Sequence, residues 1–314
     1  MTATRTPAKG VHVARHALPA RAAARSGVTG WLLAVLRTAR PRQWPKNLLV
    51  FAAPLAGASL GRHGVVAHAL VAAAAFGCAS VAVYFVNDVA DAGRDRRHPR
   101  KRDRPVASGL LPKSHAVALA AACVAAALAA GPAISEPLLT AVVGGYLAES
   151  FLYSLAAKHV PVVELAFVAS GFLLRVLGGA AATRVPPSGA FLLVCSLGAL
   201  GVAIAKRYTE LTGLGAEAAR HRPVLRWYRP GPLRLAQYAL GAAMLAAYLA
   251  WAAGEHDGAR AWHLLSALPL AAALARFGAL TARRTVRPVE DLLTRDAPML
   301  ACEAAWLGLF LAGL

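Results

Sequence analysis

Apolar runs of about 18 to 22 residues recur along the whole of this 314-residue chain, each long enough to cross a bilayer as a helix. Hydrophobic residues make up 58% of the sequence and charged ones 16%, too few charges to clothe a soluble domain. The fold class expected is all-α: a polytopic membrane protein of nine transmembrane helices. They fall at about 45–61, 66–90, 114–132, 137–155, 161–182, 189–205, 234–253, 261–280 and 297–314. Residues 1–37 hold no acid and no continuous apolar core, so they read as a disordered basic cytoplasmic tail, with an organellar transit peptide as the alternative. The membrane domain is then 38–314.

The net charge of +19 would suggest nucleic acid in a soluble chain. Here the charge sits between spans. With the N-terminus inside, 29 of the 34 Lys and Arg face one side and three the other. The positive-inside rule explains that bias without a nucleic-acid partner. It predicts a multi-pass membrane protein with a cytoplasmic N-terminus and an outer C-terminus. The four cysteines lie singly in apolar runs and read as small buried hydrophobes, not as a disulfide or zinc framework.

Asp88, Asp91 and Asp95 follow the second run at spacings of three and four. On a helix they share one face, continued toward the membrane by Asn87 and Tyr84. Stacked like charges repel, and a divalent cation reverses that sign; Mg²⁺ prefers carboxylate oxygens and is commonly shared with substrate phosphates. Arg94, Arg96, Arg97, Arg100, Lys101, Arg102 and Arg104 follow at once and suit phosphate oxygens. The ligand expected is a Mg²⁺-pyrophosphate, although the same stretch also reads as a solvated charged loop.

Arg40, Gln43, Lys46 and Asn47 recur at helical spacing before the first span, where Trp44 and Lys46 also suit an interfacial anchor. Tyr146, Glu149 and Tyr153 share a face of the fourth span, and Lys158 and His159 follow in a tight turn. Glu164 and Arg175 share a face of the fifth, as substrate contacts or as an inter-helix structural pair. Lys206, Arg207 and Glu210 end the sixth span at the same inner face, either holding a phosphate or marking the boundary. His221, Arg222, Arg226 and Arg229 could attract a polyanion, while Glu290, Asp291, Arg295 and Asp296 read as solvated loop charge. Gly144, Gly145, Gly171, Gly178 and Gly179 suit close helix packing.

The run Asn87-Asp88-x-x-Asp91-x-x-x-Asp95 resembles the first metal motif of the UbiA superfamily of membrane prenyltransferases, and nine spans with catalytic loops on one face resemble its architecture. Ordinary members carry a second aspartate-rich motif. This chain instead has Tyr153-Ser154-x-x-x-Lys158-His159 leading to Glu164. With Arg40-Pro41-x-Gln43-Trp44-x-Lys46-Asn47, Arg104-Pro105-x-Ala107-Ser108-Gly109, Gly171-Phe172-x-x-Arg175 and Ala205-Lys206-Arg207-Tyr208-x-Glu210, it is similar to the decaprenyl-phosphate phosphoribosyltransferase branch.

That resemblance implies transfer of 5-phosphoribose from phosphoribosyl pyrophosphate to a polyprenyl phosphate for cell-wall arabinan precursors. It implies Asp88 and Asp91 as catalytic residues, Asp88, Asp91 and Asp95 as Mg²⁺ ligands, and Gln43, Lys46, Asn87, Arg102, Arg104, Tyr153, Lys158, Arg175, Lys206 and Arg207 as substrate contacts. The bilayer is a further partner, and a homo-oligomer is compatible with the sequence. An aromatic prenyltransferase would need a second carboxylate cluster for its diphosphate. An anion transporter, the reading from another class, would show internal repeats and broken helices near the midplane.

Overall fold

The protein is described by a computed structural model covering residues 27–98, 101–283 and 289–314, without the side chains of His221, Asp257 and Glu290. Residues 1–26 of the expected tail, Arg100, and the Glu290 carboxylate therefore lie outside the described residues. The helices are α1 (Val28–Ala39), α2 (Ala52–Ala56), α3 (Val65–Asp95), α4 (Pro105–Ser108), α5 (Lys113–Ala133), α6 (Pro137–Leu155), α7 (Val163–Thr183), α8 (Gly189–Leu214), α9 (Ala218–His221), α10 (Pro230–Ala253), α11 (Asp257–Thr281), α12 (Val289–Arg295) and α13 (Ala297–Ala312). A 3-10 segment, Pro41–Phe51, joins α1 to α2, and others occupy Ala157–His159, Gly215–Glu217 and Pro223–Trp227. No strand occurs among the described residues.

Seven helices, α3, α5, α6, α7, α8, α10 and α11, are long and apolar enough to cross a membrane, against the nine expected. The first expected span is not one helix. Pro45 lies inside the 3-10 segment and Pro54 inside α2, and each withholds an N–H from a continuous α-helical ladder. The tighter 3-10 winding rises about 2 Å per residue, so this segment and α2 together still extend about 30 Å. The last expected span is also short, since α13 runs for only 16 residues.

Two glycines let the broken segment lie against the bundle. A Cβ on Gly179 would overlap the backbone carbonyl of Val50, and one on Gly178 would overlap the ring of Phe76. Gly145 has nothing within 4 Å of such a Cβ and Gly144 only an ordinary contact, so the close packing expected of that pair is absent. Val50, Phe76, Ala79, Val83, Leu139, Val143 and Tyr146 fill the centre between α3, α6, α7 and the 3-10 segment.

The chain is ordered well before residue 38. Ala34 of α1 packs with Phe85, Ala92, Val106, Leu111 and Ala116, and Trp31 Nε1 donates to His115 Nδ1 at 3.3 Å. The apolar positions of Val28–Ala39 are too few to cross a membrane but sufficient to cover the ends of α3 and α5. This docking places Arg40 beside the aspartates.

Candidate active site

Arg40 terminates α1 in the left-handed region, at φ 52°, and that sharp turn sends its side chain back onto α3. Its Nη2 donates to Asp88 Oδ1 at 2.6 Å, and its guanidinium lies 4.8 Å from the centre of the Tyr84 ring. From the other side, Arg104 Nη1 donates to Asp88 Oδ1 at 3.3 Å and to Asp95 Oδ2 at 2.8 Å. Arg104 stands just before α4, whose loop is pinned by Arg96 Nε donating to Ala107 O at 3.0 Å and turned by Gly109 at φ +84°. Asp88 and Asp95 are 3% and 4% exposed, a depth at which a carboxylate must be paired.

The expected triad does not converge. Asp91 is half-buried and pairs with Arg94, and no group of three His, Cys, Asp or Glu side chains among the described residues could hold a metal ion together. What helical register does provide is a carboxylate pair, Asp88 and Asp95, gripping one cationic nitrogen of Arg104. Two hard oxygen donors around one positive centre suit Mg²⁺ by donor chemistry, with the guanidinium marking the cation position. Loading a metal between them requires Arg104 to move off.

Two other arginines expected to hold phosphate are buried and occupied. Arg175 is 4% exposed; its Nε donates to Asn47 Oδ1 at 2.9 Å and its Nη2 to Ser80 Oγ and Tyr146 Oη at 3.0 and 2.9 Å. Its Nη1 is held by the carbonyl of Gly171. Arg207 is 1% exposed and is bound by Glu164, by Glu210 Oε2 at 2.9 Å and by Tyr153 Oη at 3.3 Å. Glu164 therefore pairs with Arg207 on α8, not with Arg175 on its own helix. Both arginines brace helices, and neither is free for a substrate.

The same interlock draws in residues of the loop after α8. Arg222 crosses to Tyr153 Oη at 3.1 Å and to Glu210 Oε2 at 3.3 Å, so it points inward and not at a polyanion in solution. Tyr228 Oη accepts from Val162 N at 2.9 Å and donates to Glu164 Oε1 at 3.2 Å. Burial pushes the Tyr228 hydroxyl above its ordinary pKa, so it stays a proton donor throughout the neutral range. Asp296 is not solvated loop charge: it takes two hydrogen bonds from Arg276, at 2.9 and 2.8 Å, and caps α13 through Met299 N at 3.1 Å. Asp291 and Arg295 do form an exposed pair at 3.6 Å.

Of the remaining expected contacts, Gln43 and Lys46 are half-buried on the 3-10 segment, and Asn87 is half-buried next to Asp88 on α3. Arg102 is exposed on the loop before α4, and Lys206 is half-buried on α8. Lys158 is half-buried in the 3-10 turn after α6, with no hydrogen bond or ion pair among the described residues. The arrangement is a buried carboxylate pair at the end of α3, bonded by Arg40 and Arg104, with half-buried lysines on the 3-10 segments and α8.

Comparison with known proteins places the chain by sequence and by fold. A protein of Mycobacterium tuberculosis named decaprenyl-phosphate phosphoribosyltransferase is 36% identical over 87% of this chain and 91% of its own length. One of the same name from Mycolicibacterium smegmatis is 32% identical over 95% and 96%. A UbiA homolog from Archaeoglobus fulgidus, solved bound to GPP and Mg²⁺, superposes with a TM-score of 0.69 at 17% identity, covering 88% of this chain and 99% of that one. The model of the UbiA prenyltransferase family matches residues 48–293. The chain belongs to the UbiA prenyltransferase family.

Proposed function

We propose that this protein transfers 5-phosphoribose from phosphoribosyl pyrophosphate to a polyprenyl phosphate, releasing pyrophosphate, at the cytoplasmic face of the plasma membrane. The observation that carries the reading is the Asp88–Asp95 pair under Arg40 and Arg104, together with relatives of that name at 32–36% identity over most of the chain. The broken segment 41–56 and α13 are read as two further crossings beside the seven long helices, giving nine and an outer C-terminus. A role in cell-wall arabinan synthesis follows from the product class.

The transition state resembles that of other glycosyl transfers, with positive charge on the sugar and negative charge growing on the leaving pyrophosphate. Asp88 and Asp95, with Asp91 beside them on α3, would hold Mg²⁺, which would supply charge stabilisation for that leaving group. Arg40 and Arg104, once off those carboxylates, would be placed to meet phosphate oxygens. The acceptor phosphate is already an anionic nucleophile, so the site needs no strong base. Its requirement is positioning, and Lys46, Lys158 and Lys206 serve it from the inner membrane edge.

The carboxylates of the second half argue against a prenyl diphosphate donor. Glu164 and Glu210 are neutralised by Arg207 and Arg222 and hold no second acidic cluster open. The test presents membranes containing the protein with labelled phosphoribosyl pyrophosphate and polyprenyl phosphate, and in parallel with labelled prenyl diphosphate and an aromatic acid. Lipid-extractable label in the first arm alone is expected. Product in the second arm alone would replace this reading with an aromatic prenyltransferase.

A further inference from the structure

Below the carboxylate pair, α3, α6, α7 and the 3-10 segment enclose a second polar group that the transfer described above does not use. Glu149 of α6 takes a hydrogen bond from Ser170 Oγ on one carboxylate oxygen. Its other oxygen, Oε2, is enclosed and has no hydrogen-bond partner among the described residues. An acceptor left bare in a low-dielectric interior carries the full desolvation penalty of that group. Such a group suits a hydrogen-bond donor brought by a ligand.

The surroundings restrict what that donor can be. Gly171 leaves an opening between Glu149 and Arg175: a Cβ there would lie 3.8 Å from Arg175 Nη1, 3.9 Å from Glu149 Oε2 and 4.0 Å from the Tyr146 ring. The carboxylate and the guanidinium border this opening without forming an ion pair, because Arg175 is held by Asn47, Ser80, Tyr146 and Gly171. Ser80, which touches both Arg175 and Tyr146, lies two helical turns below Asp88 on the same stripe of α3, about 12 Å along the axis. The space at Gly171 therefore borders the α3 stripe that carries Asp88, and it offers one unsatisfied acceptor beside a fixed positive charge. Neutral hydroxyl groups suit it. A prenyl chain, which has no donor, would leave Oε2 bare.

We infer that Glu149 accepts hydrogen bonds from the ribose hydroxyls of the donor and selects a hydroxylated sugar diphosphate over an isoprenoid one. The inference rests on the phosphoribosyl reading above and deepens it. Ser170 is a positioning residue that fixes the rotation of the carboxylate so that Oε2 faces the opening.

The experiment compares kcat/KM for phosphoribosyl pyrophosphate with that for its 2-deoxy and 3-deoxy analogues in wild-type protein, Glu149→Gln and Ser170→Ala. The wild type is expected to favour the ribose donor over at least one analogue. Glu149→Gln is expected to lower transfer from the ribose donor by about ten- to a hundredfold, the worth of a hydrogen bond to a charged group, while leaving the deoxy donor nearly unchanged. Ser170→Ala, a milder change, should shift the same ratio in the same direction by a smaller factor. Equal losses for both donors in the two variants would show that Glu149 only braces α6 against α7, or binds a water, and would overturn the inference. Wild-type protein inactive with every ribosyl donor would instead defeat the phosphoribosyl reading and this inference with it.

Discussion

Arg207 and Glu164 form a two-pronged ion pair in the interior: Nε donates to both carboxylate oxygens at 2.7 and 2.9 Å, and Nη2 donates to Oε2 at 2.6 Å. Their side chains are 2% and 0% exposed. The pair ties α8 to α7 directly under the loops that carry Lys158 and Tyr228. It explains how a chain without a second aspartate-rich motif keeps its two halves in register: the acidic residue of the second half is matched to an internal arginine.

Removing Glu164 leaves the buried Arg207 with Glu210 alone as its counter-ion. Glu164→Gln is expected to destabilise the folded protein by about 2 kcal/mol, less than the roughly 3–5 kcal/mol of a fully uncompensated buried charge. Replacing both partners together by Leu and Met is expected to recover most of that loss. Thermal unfolding of detergent-solubilised variants measures both, and a single variant as stable as wild type would contradict the structural role.

Arg104 competes for the position a divalent ion would take between Asp88 and Asp95. Arg104→Ala is therefore expected to tighten Mn²⁺ binding by about tenfold, one charge's worth of relief at a partly screened site, while weakening transfer. Titration followed by electron paramagnetic resonance reads the first effect. Unchanged or weaker Mn²⁺ binding would mean that the two carboxylates are not the metal's ligands.

Gly179 is required by contact. Gly179→Ala drives a methyl group into the Val50 backbone, which is not the far end of a flexible side chain and cannot swing away. Loss of folded protein is expected, whereas Gly145→Ala, with open space around it, should express and melt like wild type. Size-exclusion profiles of the two variants provide the comparison.

The hydrogen bonds from Arg276 hold the Asp296 carboxyl below its usual range. A depressed pKa contributes stability that is complete above the ordinary carboxylate value of about 4 and is lost as the pH falls toward the lowered one. The melting temperature of wild type should therefore exceed that of Asp296→Asn near pH 7, and the gap should begin to narrow as the pH falls below about 4. A gap that does not narrow at all on acidification would mean that the carboxylate charge is not what holds the loop to α11.

Periodicity and run length sufficed for the long helices and for the aspartate stripe on α3, because both are properties of neighbours in sequence. The roles of Arg175 and Arg207 were not legible, since their partners Asn47 and Glu164 stand 128 and 43 residues away. Nothing local distinguishes a phosphate-binding cation from a satisfied one. The first span misled because its apolar length is right while Pro45 and Pro54 change its winding. Docking of α1 was hidden for a related reason, a short amphipathic stretch being stable only against the helix ends it covers. Spacing places Arg40 at the membrane interface, whereas its grip on Asp88 comes from the left-handed turn at its own backbone.

The account's central claim is that a cation-binding carboxylate at Asp88 supports phosphoribosyl transfer. Its most direct test is lipid-extractable label from radiolabelled phosphoribosyl pyrophosphate, counted in membranes holding equal amounts of folded wild type or Asp88→Asn with polyprenyl phosphate and Mg²⁺. Robust transfer by wild type and a loss of at least about a hundredfold in the variant is the expected result, as for removal of a strong electrostatic stabiliser. Comparable label in both membranes would contradict the claim.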